Sequence, residues 1–111
     1  MELTARIEKQ EQRTKPRIQC NYLARVRGHD AEGKEFVENA RVINFSRSGL
    51  YVLAGRSFHP GHELSVKIAL PTGSLEWETS QLETHGSVVR SEPHSTGEFG
   101  IAIKLKGYKF L

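Results

Sequence analysis

Two short groups of residues carry most of the chemistry this chain could do. Arg13-Thr14-Lys15-Pro16-Arg17 contains the only two arginines spaced four positions apart. A guanidinium is a planar fork of N–H donors. It grips phosphate oxygens, or the O6 and N7 acceptors of guanine, through two parallel hydrogen bonds, and its flat face stacks on a purine. The second group, Asn44-Phe45-Ser46-Arg47-Ser48-Gly49, interrupts an apolar pattern with turn-forming residues. The Asn44 carboxamide and the Ser46 hydroxyl both donate and accept, which suits the edge of a base. Gly49 allows a positive φ and a close approach of backbone to ligand. A ligand that is both anionic and guanine-bearing would use both groups.

Each residue also has a plainer reading. Arg13 and Arg17 can be part of a solvated basic arm, because Arg6, Lys9, Arg13, Lys15, Arg17, Arg25 and Arg27 all fall early in the chain against Glu2, Glu8 and Glu11. Asn44 and Ser46 can cap their own backbone. His59 and His62, with His29, His85 and His94, read as loop histidines, since there is no cysteine pair and no His-Glu-x-x-His to build a zinc site. Cys20 alternates with Ile18 and Tyr22 and reads as a small core residue, while Trp77, Phe58 and Tyr51 could stack on bases but read first as core or rim packing. Glu76, Glu78 and Glu83 form an acidic patch facing solvent. No nucleophile–base pair stands out, so no catalytic residue and no metal ligand is expected.

The elements that must position these groups are strands. A chain of 111 residues suits one domain with its own core. The net charge of +3 favours an anionic partner only weakly. One cysteine gives no internal disulfide, no apolar run approaches a membrane span, and the polar start is not a secretory signal, so the expected compartment is the cytoplasm, without membrane insertion. Leu3 and Ile7 allow a short, marginal helix over residues 2–12, which Pro16 bounds. From Ile18 the period becomes two: Ile18, Cys20, Tyr22, Ala24 and Val26, then Phe36, Glu38, Ala40 and Val42 opposite Val37 and Ile43. Further strands are expected over 50–54, 64–70, 86–90 and 99–105, while residues 75–80 fit either a hairpin arm or a loop. The expected fold is all-β: an antiparallel barrel or sandwich of six or seven short strands over residues 13–111, behind a flexible or short helical arm at 1–12.

Arg-x-x-x-Arg ahead of the first strand, followed by Asn-x-Ser-x-x-Gly after the second, resembles the signature of the PilZ domain family. Arg13, Arg17, Asn44, Ser46 and Gly49 fill every position of it. Gly-x-Val-Val-Arg at 86–90 and Phe-Gly-Ile-Ala-Ile at 99–103 are similar to the family's later strands. The resemblance implies a six-stranded antiparallel β-barrel that binds cyclic di-GMP on its outer surface. It implies that Arg13 and Arg17 contact guanine and phosphate, that Asn44 and Ser46 read a guanine edge, and that Gly49 shapes the turn. Gln12 and Arg47 are accessory candidates. Gln12 stands where the family often carries another arginine, a position that bears on whether one messenger or a stacked pair is bound. The family commonly ends with a C-terminal helix, and this chain stops at Leu111 soon after the last expected strand, so either the helix is absent or the chain is a piece of something longer.

The functional expectation is therefore a non-enzymatic second-messenger receptor that passes its signal on by ordering the arginine arm. It needs no cofactor beyond its ligand, acts on a downstream protein, and is a monomer or a ligand-dependent dimer. The competing expectation is an interaction adaptor of the same fold that does not bind the messenger. A single-strand nucleic-acid binder of OB type would need exposed stacking aromatics, and the aromatics here are few and scattered.

Overall fold

The computed structural model describes residues 18–71 and 79–111. The arm at residues 1–12, its possible helix, and Arg13 and Arg17 lie outside them. The alternation seen in the sequence becomes six strands: β1 (Ile18–His29), β2 (Glu35–Phe45), β3 (Gly49–Ala54), β4 (Glu63–Pro71), β5 (Thr79–Pro93) and β6 (Phe99–Phe110). They pair antiparallel in the order β1-β2-β3-β6-β5-β4, and β1 and β4 close the barrel. Closure gives each strand two neighbours and removes the exposed edges an open sheet would present.

Period-two patterning decides which side chains point inward. In β1, Ala24 and Val26 are buried while Leu23, Arg25 and Arg27 face solvent; in β6, Ile101 and Ile103 are buried on either side of the half-buried Ala102, with Lys104 exposed beyond them. Val26, Val42, Val52, Val66, Ile68 and Ile101 are wholly enclosed. Each contributes roughly 1.5–3 kcal/mol of transfer free energy. Thr84 is the buried polar residue of this core, and its hydroxyl donates to the Val66 carbonyl at 3.0 Å, so the group is not left unpaired. Phe58, from the loop between β3 and β4, is also buried. It stacks on Phe36 at 5.6 Å, with the Arg56 guanidinium 4.4 Å from the Phe36 ring centre.

Several expectations shift. β5 is much longer than residues 86–90, and Thr79 and Ser80 from the ambiguous 75–80 segment belong to it. Asn44 lies in β2 rather than in the turn, which shrinks to residues 46–48. Gly49 opens β3 without a positive φ; among the described glycines only Gly33, Gly61 and Gly97 have one. What Gly49 supplies is room, since a Cβ there would stand 3.0 Å from the Ile103 carbonyl oxygen. Cys20 is half-buried against the core, as its alternation suggests, and its thiol donates to the Val42 carbonyl at 3.3 Å.

Four register shifts interrupt the ladders, at Gln19/Tyr22, Val42/Asn44, His85/Gly86 and Val88/Arg90, and the second and fourth matter most here. Val42 pairs with Val52 but Asn44 with Tyr51, which leaves Ile43 as an extra residue in β2. Val88 pairs with Ile103 but Arg90 with Ala102, which leaves Val89 extra in β5. A bulge reverses the in–out alternation beyond it and re-aims the next side chain.

Candidate functional site

The bulges set up a row of paired residues. Asn44 in β2 faces Tyr51 in β3, Tyr51 faces Ala102 in β6, and Ala102 faces Arg90 in β5. Directly paired residues share a face of the sheet. Tyr51 and Ala102 alternate with the buried Val52 and Ile101, so the row lies on the outer wall.

A cleft of about 530 Å³ opens along this row and extends to Ser46, Ser48, Gly49, Val89 and Lys104. That volume is in the range of small-molecule sites. Arg90 and Lys104 are its charged residues, and no described carboxylate lines it. Arg90 Nε donates to Glu92 at 2.8 Å, a solvent-exposed pair that orients the guanidinium more than it stabilises the fold.

The cleft also holds an unpaired acceptor. Asn44 Oδ1 is shut off from solvent and has no hydrogen-bond partner among the described residues. A buried polar atom in that state costs about 1–3 kcal/mol, and folded proteins leave few of them. A ligand N–H donor would satisfy it once the atoms covering it shift aside.

The neighbouring turn is tightly held. Ser46 N–H donates to the Gly49 carbonyl at 2.9 Å, the Ser46 hydroxyl lies 3.5 Å from the same oxygen, and Ser48 N–H donates to Ser46 Oγ at 3.4 Å. Leu105 N–H donates to the Ser48 carbonyl at 2.9 Å and ties the turn to β6. Ser46 therefore builds the turn as well as lining the cleft.

Of the residues expected from sequence, Asn44, Ser46 and Gly49 come together in the cleft. Arg47 is exposed on the turn and does not line it. Gln12, Arg13 and Arg17 lie outside the described residues. Their point of attachment is nonetheless fixed: Ile18 pairs with Phe45 and Gln19 with Asn44, so the chain enters β1 beside the cleft. Tyr51, Ala102, Arg90 and Lys104 were not expected there. By residue type Tyr51 fits rim packing as well as base stacking, and Arg90 stands out only as part of the 86–90 strand segment. The histidines are scattered, with His62 Nε2 at 2.8 Å from the His29 carbonyl; among the described residues no three of His, Cys, Asp or Glu gather in a group that could hold a metal. No helix among the described residues is long and apolar enough to cross a membrane.

Comparison with known proteins agrees with this architecture. Residues 11–109 match the PilZ domain family. The inhibitor of motility MotI (DgrA) from Bacillus subtilis superposes with a TM-score of 0.68 at 19% identity, over 86% of this chain and 43% of that one. The PilZ domain of YcgR from Escherichia coli, in a structure with c-di-GMP, superposes with a TM-score of 0.51 at 11% identity, over 85% of this chain and 77% of that one. The chain thus spans less than half the length of MotI. No curated protein sequence matches it significantly.

Proposed function

This chain belongs to the PilZ domain family, and we propose that it is a non-enzymatic receptor for cyclic di-GMP, bound in the cleft between Asn44 and Arg90. One observation carries the reading: Asn44 Oδ1, a solvent-excluded acceptor with no partner among the described residues, belongs to a residue that lines a cleft whose described charged residues are cationic. The Watson–Crick edge of guanine offers the N1–H and N2–H₂ donors that such an oxygen needs, and the phosphates need cations. Arg90 and Lys104 supply positive charge from the barrel, and Ser46 and Gly49 hold the wall against which the ligand lies.

Arg13 and Arg17 would close the site from the arm. Arg17 directly precedes Ile18, and the stretch back to Arg13 spans at most roughly 18 Å when extended. Both guanidinium groups are therefore within reach of a ligand in the cleft. Taking up one bound arrangement costs the arm conformational entropy, which the ligand contacts offset only when the messenger is present. The resulting ordered arm is the signal offered to a downstream protein. The cytoplasm is the compartment in which such a messenger would be met.

Calorimetric titration of the 111-residue chain with cyclic di-GMP, with GTP and cyclic di-AMP as controls, tests the reading. Saturable, guanine-selective binding is expected, and the stoichiometry reports what Gln12 allows. Absence of heat and of any thermal shift at high messenger concentration would overturn it in favour of a ligand-free adaptor.

A further inference from the structure

The middle of the cleft is open because of a side chain that is missing elsewhere. Tyr51 pairs with Ala102 across the two strands. It leans diagonally onto Gly100, two residues earlier in β6. A Cβ added at Gly100 would overlap the Tyr51 hydroxyl, and would stand 2.5 Å from Cζ and 2.9 Å from Cε2. Diagonal reach of this kind is available to aromatic residues on a sheet. Gly100 is buried and lies outside the cleft, whereas Ala102 lines its floor.

Gly100 has no positive φ, so its backbone would accept alanine without strain. The obstacle to a side chain there is the tyrosine ring. Tyr51 and the small Ala102 both line the cleft, so a ring expelled from Gly100 can turn into it.

We infer that Gly100 is a positioning residue for the ligand cleft: it seats Tyr51 off the binding floor, and Gly100 and Ala102 together set how much ligand the row between Asn44 and Arg90 admits. The inference rests on the cyclic di-GMP reading. It goes further, because it assigns cleft capacity to a residue that touches no ligand and lies outside the Arg-x-x-x-Arg and Asn-x-Ser-x-x-Gly groups.

The test is a double-mutant cycle on the full chain, read by calorimetry with cyclic di-GMP and by thermal unfolding. Gly100→Ala is expected to weaken binding at least tenfold where Tyr51 is present. In a Tyr51→Ala background the same change should cost less than twofold, because no ring remains to be displaced. Ala102→Leu fills the floor beside Tyr51 while leaving Gly100 unchanged and should weaken binding comparably; it also keeps the test decisive if Gly100→Ala alone does not fold. Equal losses from Gly100→Ala in both backgrounds, or full binding by Ala102→Leu, would overturn the inference while leaving the receptor reading intact. Failure of the unsubstituted chain to bind would overturn both, and is distinguished by that single titration.

Discussion

Asn44 and Arg90 stand at opposite ends of one row of paired residues, with Tyr51 and Ala102 between them and a bulge beside each end. Three inter-strand steps separate them, a span of roughly 14 Å. A hydrogen-bonding amide at one end and a guanidinium at the other make an asymmetric seat, with an uncharged, shallow middle.

Asn44 should show a trade between stability and binding. Its oxygen has no hydrogen-bond partner among the described residues, a cost to the free protein that a ligand donor would relieve. Asn44→Ala is therefore expected to leave the free energy of unfolding unchanged or raise it by up to about 1 kcal/mol, while weakening cyclic di-GMP binding by at least tenfold. Chemical denaturation and calorimetry on the same preparation give both numbers. A variant that is less stable yet binds normally would show that Asn44 serves the fold and not the ligand.

The two walls of the barrel should respond differently to loss of charge. Arg25 and Arg27 face solvent between β1 and β4, beside Ser65 and Lys67, across the barrel from the β3–β6 wall. Arg13→Ala and Arg17→Ala should each weaken messenger binding by about 10- to 100-fold, in line with loss of a charge-assisted hydrogen bond. Arg25→Ala and Arg27→Ala should leave it within twofold at the same ionic strength. If all four variants weaken binding alike and salt erases the difference, the attraction is a diffuse effect of net charge and the arm has no special place.

The barrel was readable because its signal is redundant. Phe99, Ile101 and Ile103 alternate with polar or small residues, as do Leu64, Val66 and Ile68, and each strand repeats the pattern independently. The turn over residues 46–48 was readable from its residue types. The bulges were not. Ile43 and Val89 are ordinary β-branched strand residues, and nothing in their type announces that each is an extra residue in the ladder. Without the bulges the alternation does not put Asn44, Tyr51, Ala102 and Arg90 in one row, so Tyr51 and Arg90 were missed as cleft residues. Gly49 was picked out for backbone freedom, but the need is steric and arises from β6, far away in sequence.

Cys20 should be chemically quiet. Burial pushes its thiol pKa up, against a smaller opposite effect from a backbone hydrogen bond at Tyr22, and Sγ–H donates to the Val42 carbonyl. The reactive thiolate is therefore scarce at neutral pH. Iodoacetamide at pH 7.5 is expected to modify the native chain several-fold more slowly than the chain unfolded in urea, as followed by intact mass. Equal rates would mean that the first strand opens readily around Cys20.

Glu98 should impose an acid limit on stability. The Arg41 guanidinium, donating at 2.9 Å, holds the Glu98 carboxyl below the usual carboxylate range, and the Thr96 hydroxyl, donating at 3.0 Å, adds to the effect. A carboxyl depressed by folding adds stability that is fully present above the unfolded-state value, about 4.3, and is lost as pH falls through the lower folded-state value. The pair is partly exposed, so its contribution at neutral pH is small and falls with salt. It nevertheless links β2 to the turn between β5 and β6, which gives it a distinct signature. From about pH 5 downward the urea midpoint of the parent chain should fall more steeply than that of Glu98→Gln, and the two should run parallel at higher pH. Parallel curves across the whole range would mean that the Arg41–Glu98 contact carries no folding free energy.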